Sequence, residues 1–306
     1  RNVGINTNTQ TLNNAGGTIA ASQTANLQTG AFNNDGGLVQ TGSDLTIHTH
    51  GQTLTNTNAA NYTSSNSALN GKGGIASQGT STITTGDLNN DAGYIGSKGT
   101  LTASSANISN QNGQIQGLGN LSLTAGNGSS TGAINNTGGL IRSAATTSLS
   151  AGTVTNSNTS GTGLGIEGLD VSVSATTLHN DSGAIRADNN ITVTSAGTVD
   201  NSAGLMSAGN TLTLQDVQTQ ANTQASRTLA ITNTNGTLLA GQSLAVAASS
   251  IGGDGSILSK GNLNLALNAD FANSAQVIAN GNATINTTGN VSNSGKLQAG
   301  NTLNLT

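Results

Sequence analysis

An apolar residue followed two positions later by Asn recurs along the whole chain, and this recurrence constrains the fold more than any other feature. Thirteen anchors share the position: Leu12, Phe32, Leu54, Leu88, Ile108, Ile134, Val154, Leu178, Val199, Ile231, Ile251, Phe271 and Val291. Seven of the twelve intervals between them are 20 or 21 residues, and the others are longer. The Asn column comprises Asn14, Asn34, Asn56, Asn90, Asn110, Asn136, Asn156, Asn180, Asn201, Asn233, Asn273 and Asn293, and Gly253 alone interrupts it. Five residues after the anchor stands Gly in eight repeats, as at Gly37, Gly139 and Gly204. Seven after it an apolar residue returns: Ile19, Val39, Ile95, Ile115, Ile141, Ile185, Met206, Leu238, Leu258 and Ile278. An alternating pair follows, such as Leu45 with Ile47 or Ile191 with Val193.

A period of two within each segment turns one face inward and one outward, which is the signature of short strands. Asn and Gly mark the corners, where left-handed backbone angles cost them little. A 20-residue unit cannot bury its own apolar face, but stacked units can. The predicted fold is therefore all-β: a parallel β-helix, or β-solenoid, of about 13–15 turns. It has ~20-residue repeats, three short strands per turn and a coil spacing of about 4.8 Å, giving a rod of roughly 60 Å. Parallel crossovers are right-handed almost without exception, so the helix is expected to be right-handed. Identical inward residues at one column stack on themselves, and the Asn column is expected to form an amide ladder. An Asn136→Leu change is expected to lower the melting temperature without abolishing any activity. Residues 1–306 read as a single repeat domain, a fragment of a longer filament, with inserted loops at about 57–70, 125–132, 157–163 and 215–227.

Composition narrows function. Only 7% of the 306 residues are charged and 1% aromatic, with no Pro and no Cys. Absence of Pro suits uninterrupted ladder pairing, and absence of Cys excludes disulfides and thiolate metal sites. Eight Lys and Arg against a net charge of −4 provide no basic stripe for nucleic acid. No apolar run reaches the ~18 residues of a membrane span.

Catalytic groups are sparse. Glu167 is the only Glu, and the Asp column at Asp35, Asp91, Asp181 and Asp254 never occupies adjacent turns. No paired carboxylates for acid–base chemistry are expected, and the chain is read as non-enzymatic, the alternative being a polysaccharide-active β-helix enzyme. His48 and His50 are expected to face solvent beside inward Ile47, without a third ligand for a metal. Gly252-Gly253-Asp254-Gly255 resembles part of a Ca²⁺-binding nonapeptide, yet it occurs once and reads as a corner. Outward Thr100, Thr102, Thr211 and Thr213 do not extend into the regular array that ice binding needs. No catalytic residue, metal or cofactor is expected. Loops on a rigid scaffold are where binding concentrates, and Tyr62 and Arg227 are the candidate receptor contacts within the insertions.

The repeat form, as in Phe-Asn-Asn-Asp-Gly-Gly-Leu-Val at 32–39, Leu-Asn-Asn-Asp-Ala-Gly-Tyr-Ile at 88–95 and Ile-Asn-Asn-Thr-Gly-Gly-Leu-Ile at 134–141, resembles the filamentous haemagglutinin repeat. The resemblance covers nearly the whole chain. It implies a large exoprotein of Gram-negative bacteria, exported by an outer-membrane partner in two-partner secretion. Haemagglutinin-type adhesins and the toxin-carrying proteins of contact-dependent growth inhibition belong to that family. The implied role is a secreted, cell-surface filament section that presents a receptor-binding or toxin segment. The alternative is that this section itself meets a protein or glycan receptor through its inserted loops.

Overall fold

The computed structural model describes residues 1–126, 131–217 and 226–306. They form two compact units, Arg1–Gly152 and Thr153–Thr306. Both are β-solenoids, and short 3₁₀ segments at Ala59–Asn61 and Ser67–Leu69 interrupt the strands of the first unit.

One coil of the first unit shows the plan. It runs through the strands Phe32–Asn33, Leu38–Thr41 and Leu45–His48, separated by corners. Each strand pairs in parallel with its equivalents above and below: Phe32 with Leu12 and Leu54, Val39 with Ile19 and Ile75, Ile47 with Leu27 and Ile83. Inside the third strand Leu45 and Ile47 are buried while Thr46 is exposed, because successive residues of a strand point to opposite faces. Register is fixed by that alternation, since a one-residue slip would turn every aliphatic side chain outward. In the second unit, the third strand of one coil and the anchor strand of the next fuse into the ten-residue strands Asp170–His179 and Ile191–Asp200. Their pairing absorbs the missing corner as a register shift between Ala175 and Thr177.

The core is a narrow column of Leu, Ile, Val and Ala, with Phe32 and Phe271 admitted at the anchor position. Buried hydroxyls line two corners. Thr29, Thr85 and Ser105 end third strands and donate to backbone carbonyls at 2.9, 3.0 and 2.9 Å. Ser77, Ser97, Ser143 and Ser259 do so at the ends of second strands, at 3.0, 2.6, 2.7 and 2.7 Å. Each thereby satisfies its own buried hydroxyl at the bend, Ser77 and Ser97 sharing Gly79 O.

Two residues of the apolar column seven after the anchor point outward. Leu258 and Ile278 stand seven after their anchors, but the coils beginning at Ile251 and Phe271 have corners one residue shorter, and Ile257 and Val277 fill the core instead. Leu258 lines up with Leu239 below and Ile278 above on the outer face of the sheet. Among the described residues no helix is long and apolar enough to cross a membrane.

Candidate functional site

The anchor corner is built from its Asn residues upward. In the first unit Asn14 Nδ2 donates to Asn34 Oδ1, Asn34 to Asn56, Asn56 to Asn90, Asn90 to Asn110 and Asn110 to Asn136, each at 2.7 Å. In the second unit Asn156, Asn180, Asn201 and Asn233 are linked at 2.7, 2.7 and 2.8 Å, and Asn273 donates to Asn293 at 2.7 Å. Where Gly253 supplies no side-chain oxygen, Asn233 Nδ2 keeps its bond to the next coil's second strand, at Ser256 O, 3.3 Å away. The amides also reach the second strand of the next coil, as Asn56 does to Tyr94 O at 2.9 Å. One side chain therefore ties two coils and two walls together.

The neighbouring columns have separate reasons. The residue four after the anchor adopts the left-handed conformation, at Gly16, Gly36, Asn58, Ala92, Asn112, Gly138, Asn158, Ser182, Ala203 and Asn235. The Gly column at five after the anchor does not, so backbone angle is not its cause. A Cβ on Gly37, Gly139 or Gly204 would lie 2.6, 2.7 or 2.6 Å from the Oδ1 of its own ladder Asn. It would lie closer still, 2.3, 2.2 or 2.1 Å, to the backbone carbonyl of Asn14, Asn110 or Asn180 one coil below, so glycine is there because two backbones and the amide meet. Outside the ladder runs a column the sequence reading passed over. Asn13, Asn33, Asn89, Asn135 and Asp200 accept the N–H two residues on at 3.1, 3.1, 3.0, 3.0 and 2.9 Å, closing Asx turns. The signal was the doubled Asn-Asn in the repeat.

The Asp column decorates this corner. Asp35 Oδ1 accepts from Thr57 Oγ1 at 2.6 Å and Asn58 Nδ2 at 2.8 Å. Those two hydrogen bonds, the Thr57 hydroxyl foremost, hold its carboxyl below the ordinary value of 3.8. Asp91 serves Ser109 and Gln111, Asp181 serves Ser157, and Asp254 accepts from Asn235 N. Each is occupied with its neighbouring coil. His50 lies beyond the strand end at φ 50° and donates through Nδ1 to Thr29 O at 2.8 Å, with the His48 ring edge-on at 4.6 Å. Among the described residues no three His, Cys, Asp or Glu are grouped to hold a metal.

The insertions differ from one another. The segment 57–73 is folded: Asn66 accepts from Ala68 N at 3.2 Å, Gly71 N donates to Tyr62 O at 2.8 Å, and Gly73 N to Ala59 O at 3.0 Å. Tyr62, put forward from the sequence as a contact residue, is 2% exposed, and its hydroxyl bonds Thr18 Oγ1 at 2.6 Å. It fastens the segment to the wall two coils below. Over the outer face of the second strands the segment forms a hollow of about 510 Å³, bordered by Leu38, Gln40, Leu69, Lys72, Tyr94 and Gln114.

The segment 157–163 is held by Thr159, which donates to Asn156 O at 2.9 Å, and by Arg186, which reaches Ser160 O at 3.0 Å and Glu167 at 3.4 Å. Residues 127–130 of the insertion at 125–132, and 218–225 of that at 215–227, lie outside the described residues. At the base of the latter, buried Asp216 accepts the backbone N–H groups of Thr228 and, at 2.6 Å, Leu229. Arg227, the other candidate contact, is half-buried and donates through Nη1 to Ala266 O at 2.8 Å, while its carbonyl accepts from Asn268 at 3.2 Å. It anchors the base of the insertion to the coils.

The sequence profile of the family described as Haemagglutinin repeat matches residues 1–59, 168–241, 207–295 and 258–306. No curated protein and no solved structure matches the chain.

Proposed function

The chain belongs to the haemagglutinin-repeat family, and from that premise we propose that it is a non-enzymatic filament section of a secreted surface exoprotein, spacing a receptor-binding or toxin segment from the cell. The family is one of structural and adhesin proteins, and the β-solenoid fits a filament section of an adhesin-like protein. The amide ladder is the observation that carries the reading. A buried column whose members hydrogen-bond one another from coil to coil serves length and stiffness. The family context implies export through an outer-membrane transporter, with contact-dependent growth inhibition or adhesion as the two outcomes for the whole exoprotein.

A second reading is favoured by one observation: the insertion 57–73 is folded and walls a hollow instead of trailing from the corner. On that reading this section itself touches a receptor. Flow cytometry of the fluorescently labelled 306-residue chain on bacterial and epithelial cells tests both. Variants lacking residues 57–70 or 217–226, the latter keeping Asp216 and Arg227, accompany it. Absence of saturable binding is the expected result for a spacer. Saturable binding lost on deletion would replace that reading with the second one, and the cell type bound would choose between growth inhibition and adhesion.

A further inference from the structure

We propose that the outer face of the second strands in the first unit, centred on Tyr94, binds an acidic glycan whose sugar ring stacks on the tyrosine ring and whose carboxylate or sulfate meets Lys98 or Lys72. The proposal rests on the second reading above, that this section makes contacts itself, and names the chemical class of the partner.

The platform comes first. Ala76, Gly96 and Gln116 are aligned on consecutive strands and point away from the core, between inward Ile75, Ile95 and Ile115 and the following corners. Gly96 is nevertheless buried. A Cβ there would lie 2.7 and 2.8 Å from Cζ and Cε1 of Tyr94, so the ring is laid across the sheet in the space a side chain at 96 would fill. Tyr94 stays partly exposed and borders two hollows at once, that of about 510 Å³ beside the 57–73 insertion and another of about 430 Å³ towards Lys98. An aromatic ring supported on one side by backbone and open on the other is a stacking surface, and it loses no side-chain freedom on binding.

Charge selects the ligand. The first unit has four cationic side chains, Arg1, Lys72, Lys98 and Arg142, and all four border the adjoining hollows of this face. Its four carboxylates, Asp35, Asp44, Asp87 and Asp91, border none of them. Lys72 and Lys98 are exposed and pair with no carboxylate among the described residues. An anion reaching this face meets attraction with no local repulsion. Between the cations lie the amides of Gln40, Gln78, Gln114 and Gln116; Gln116 Nε2 donates to Gln114 Oε1 at 2.9 Å, and the donors and acceptors that remain on such amides suit vicinal hydroxyls. Ring face, hydroxyl-matching amides and flanking cations are what an acidic sugar presents surfaces for.

The test is isothermal titration of the 306-residue chain with polygalacturonate, dextran sulfate and neutral dextran at low and physiological salt. Saturable binding of polygalacturonate or dextran sulfate, and not of neutral dextran, is expected, and the polymer that binds identifies the acid group. Tyr94→Ala is expected to weaken it about tenfold, as loss of an interface anchor does, while Tyr94→Phe retains it. Gly96→Val displaces the ring without removing it and is expected to match Tyr94→Ala, and Lys98→Gln reduces both affinity and its salt dependence. Circular dichroism melting establishes that each variant is folded. No binding of either acidic polymer overturns the proposal, and so does binding that Tyr94→Ala leaves unchanged. Cell binding abolished by the loop deletion but untouched by Tyr94→Ala would overturn the glycan site while leaving the contact reading standing. Tyr94-dependent binding of an acidic polymer supports the site even if neither cell type carries the ligand.

Discussion

Asn110 accepts an amide hydrogen from Asn90 and gives one to Asn136, and its own Nδ2 also reaches Leu140 O at 3.1 Å. Replacing it with Leu strands a donor below and an acceptor above in a dry interior. Each orphaned buried group costs about 1–3 kcal/mol. Asn110→Leu is therefore expected to destabilise the first unit by about 2–5 kcal/mol, read as a fall in the urea midpoint, and an unchanged midpoint would remove the ladder from the account of stability. Asp35 makes a smaller and pH-dependent contribution. Its carboxyl is held below the ordinary 3.8, so the stabilisation is present above that value and lost as pH falls through the folded-state value. The group is largely exposed, which keeps the effect small. Asp35→Ala is expected to lower the melting temperature slightly at pH 6 and to leave it unchanged at pH 2, as followed by circular dichroism.

At the scale of the corner, the sequence shows which residues bend the chain but not which of them pays in backbone angle. Ala203 is left-handed at φ 51°, while Gly204 beside it is not. A non-glycine residue held there costs about 1–2 kcal/mol, against about 0.5–1 kcal/mol for the extra freedom of an unfolded glycine. Ala203→Gly is thus expected to be neutral or stabilising by up to about 1 kcal/mol. Gly204→Ala, whose Cβ would lie 2.6 Å from Asn201 Oδ1, is expected to destabilise clearly in the same thermal melts. The anchor, the Asn column and the alternating third strand were legible because each repeats with one physical cause. The inward position of the second strand is legible only where the corner has its usual length; where it is one residue shorter, the residues seven after the anchor, Leu258 and Ile278, face outward. Tyr62 and Arg227 drew attention as residue types common in interfaces, but burial of Tyr62 depends on the non-local contact with Thr18, which no local pattern announces. Tyr94 was visible only as one member of a repeat. The signal that it lies flat was Gly96, two residues on and on the same face of the strand.

At the scale of the whole molecule, nearest-neighbour stacking within each unit makes stability a sum of coil and interface terms. A coil-sized deletion should preserve what a fractional one destroys. Removing residues 88–107 brings Ile108 to the place of Leu88 and Asn110 to that of Asn90, matching Leu54 and Asn56 below. This variant is expected to keep a cooperative thermal transition and its β-type circular dichroism. Removing residues 88–97 instead puts outward residues inward and is expected to abolish the transition. Retention of folding by both would contradict register control by the core pattern.

The in-register pairing of equivalent residues, Leu88 on Ile108 and Ile108 on Ile134, also bears on how such a chain changes over generations. Because neighbouring coils present interchangeable surfaces, unequal recombination between two repeats of a gene adds or removes whole coils and leaves the rest of the stack with compatible neighbours. Length is then free to drift in discrete steps of one coil, a few ångströms at a time, while the sequence of each surviving coil stays under the same packing constraints. Length becomes a heritable quantity adjustable without inventing a new fold.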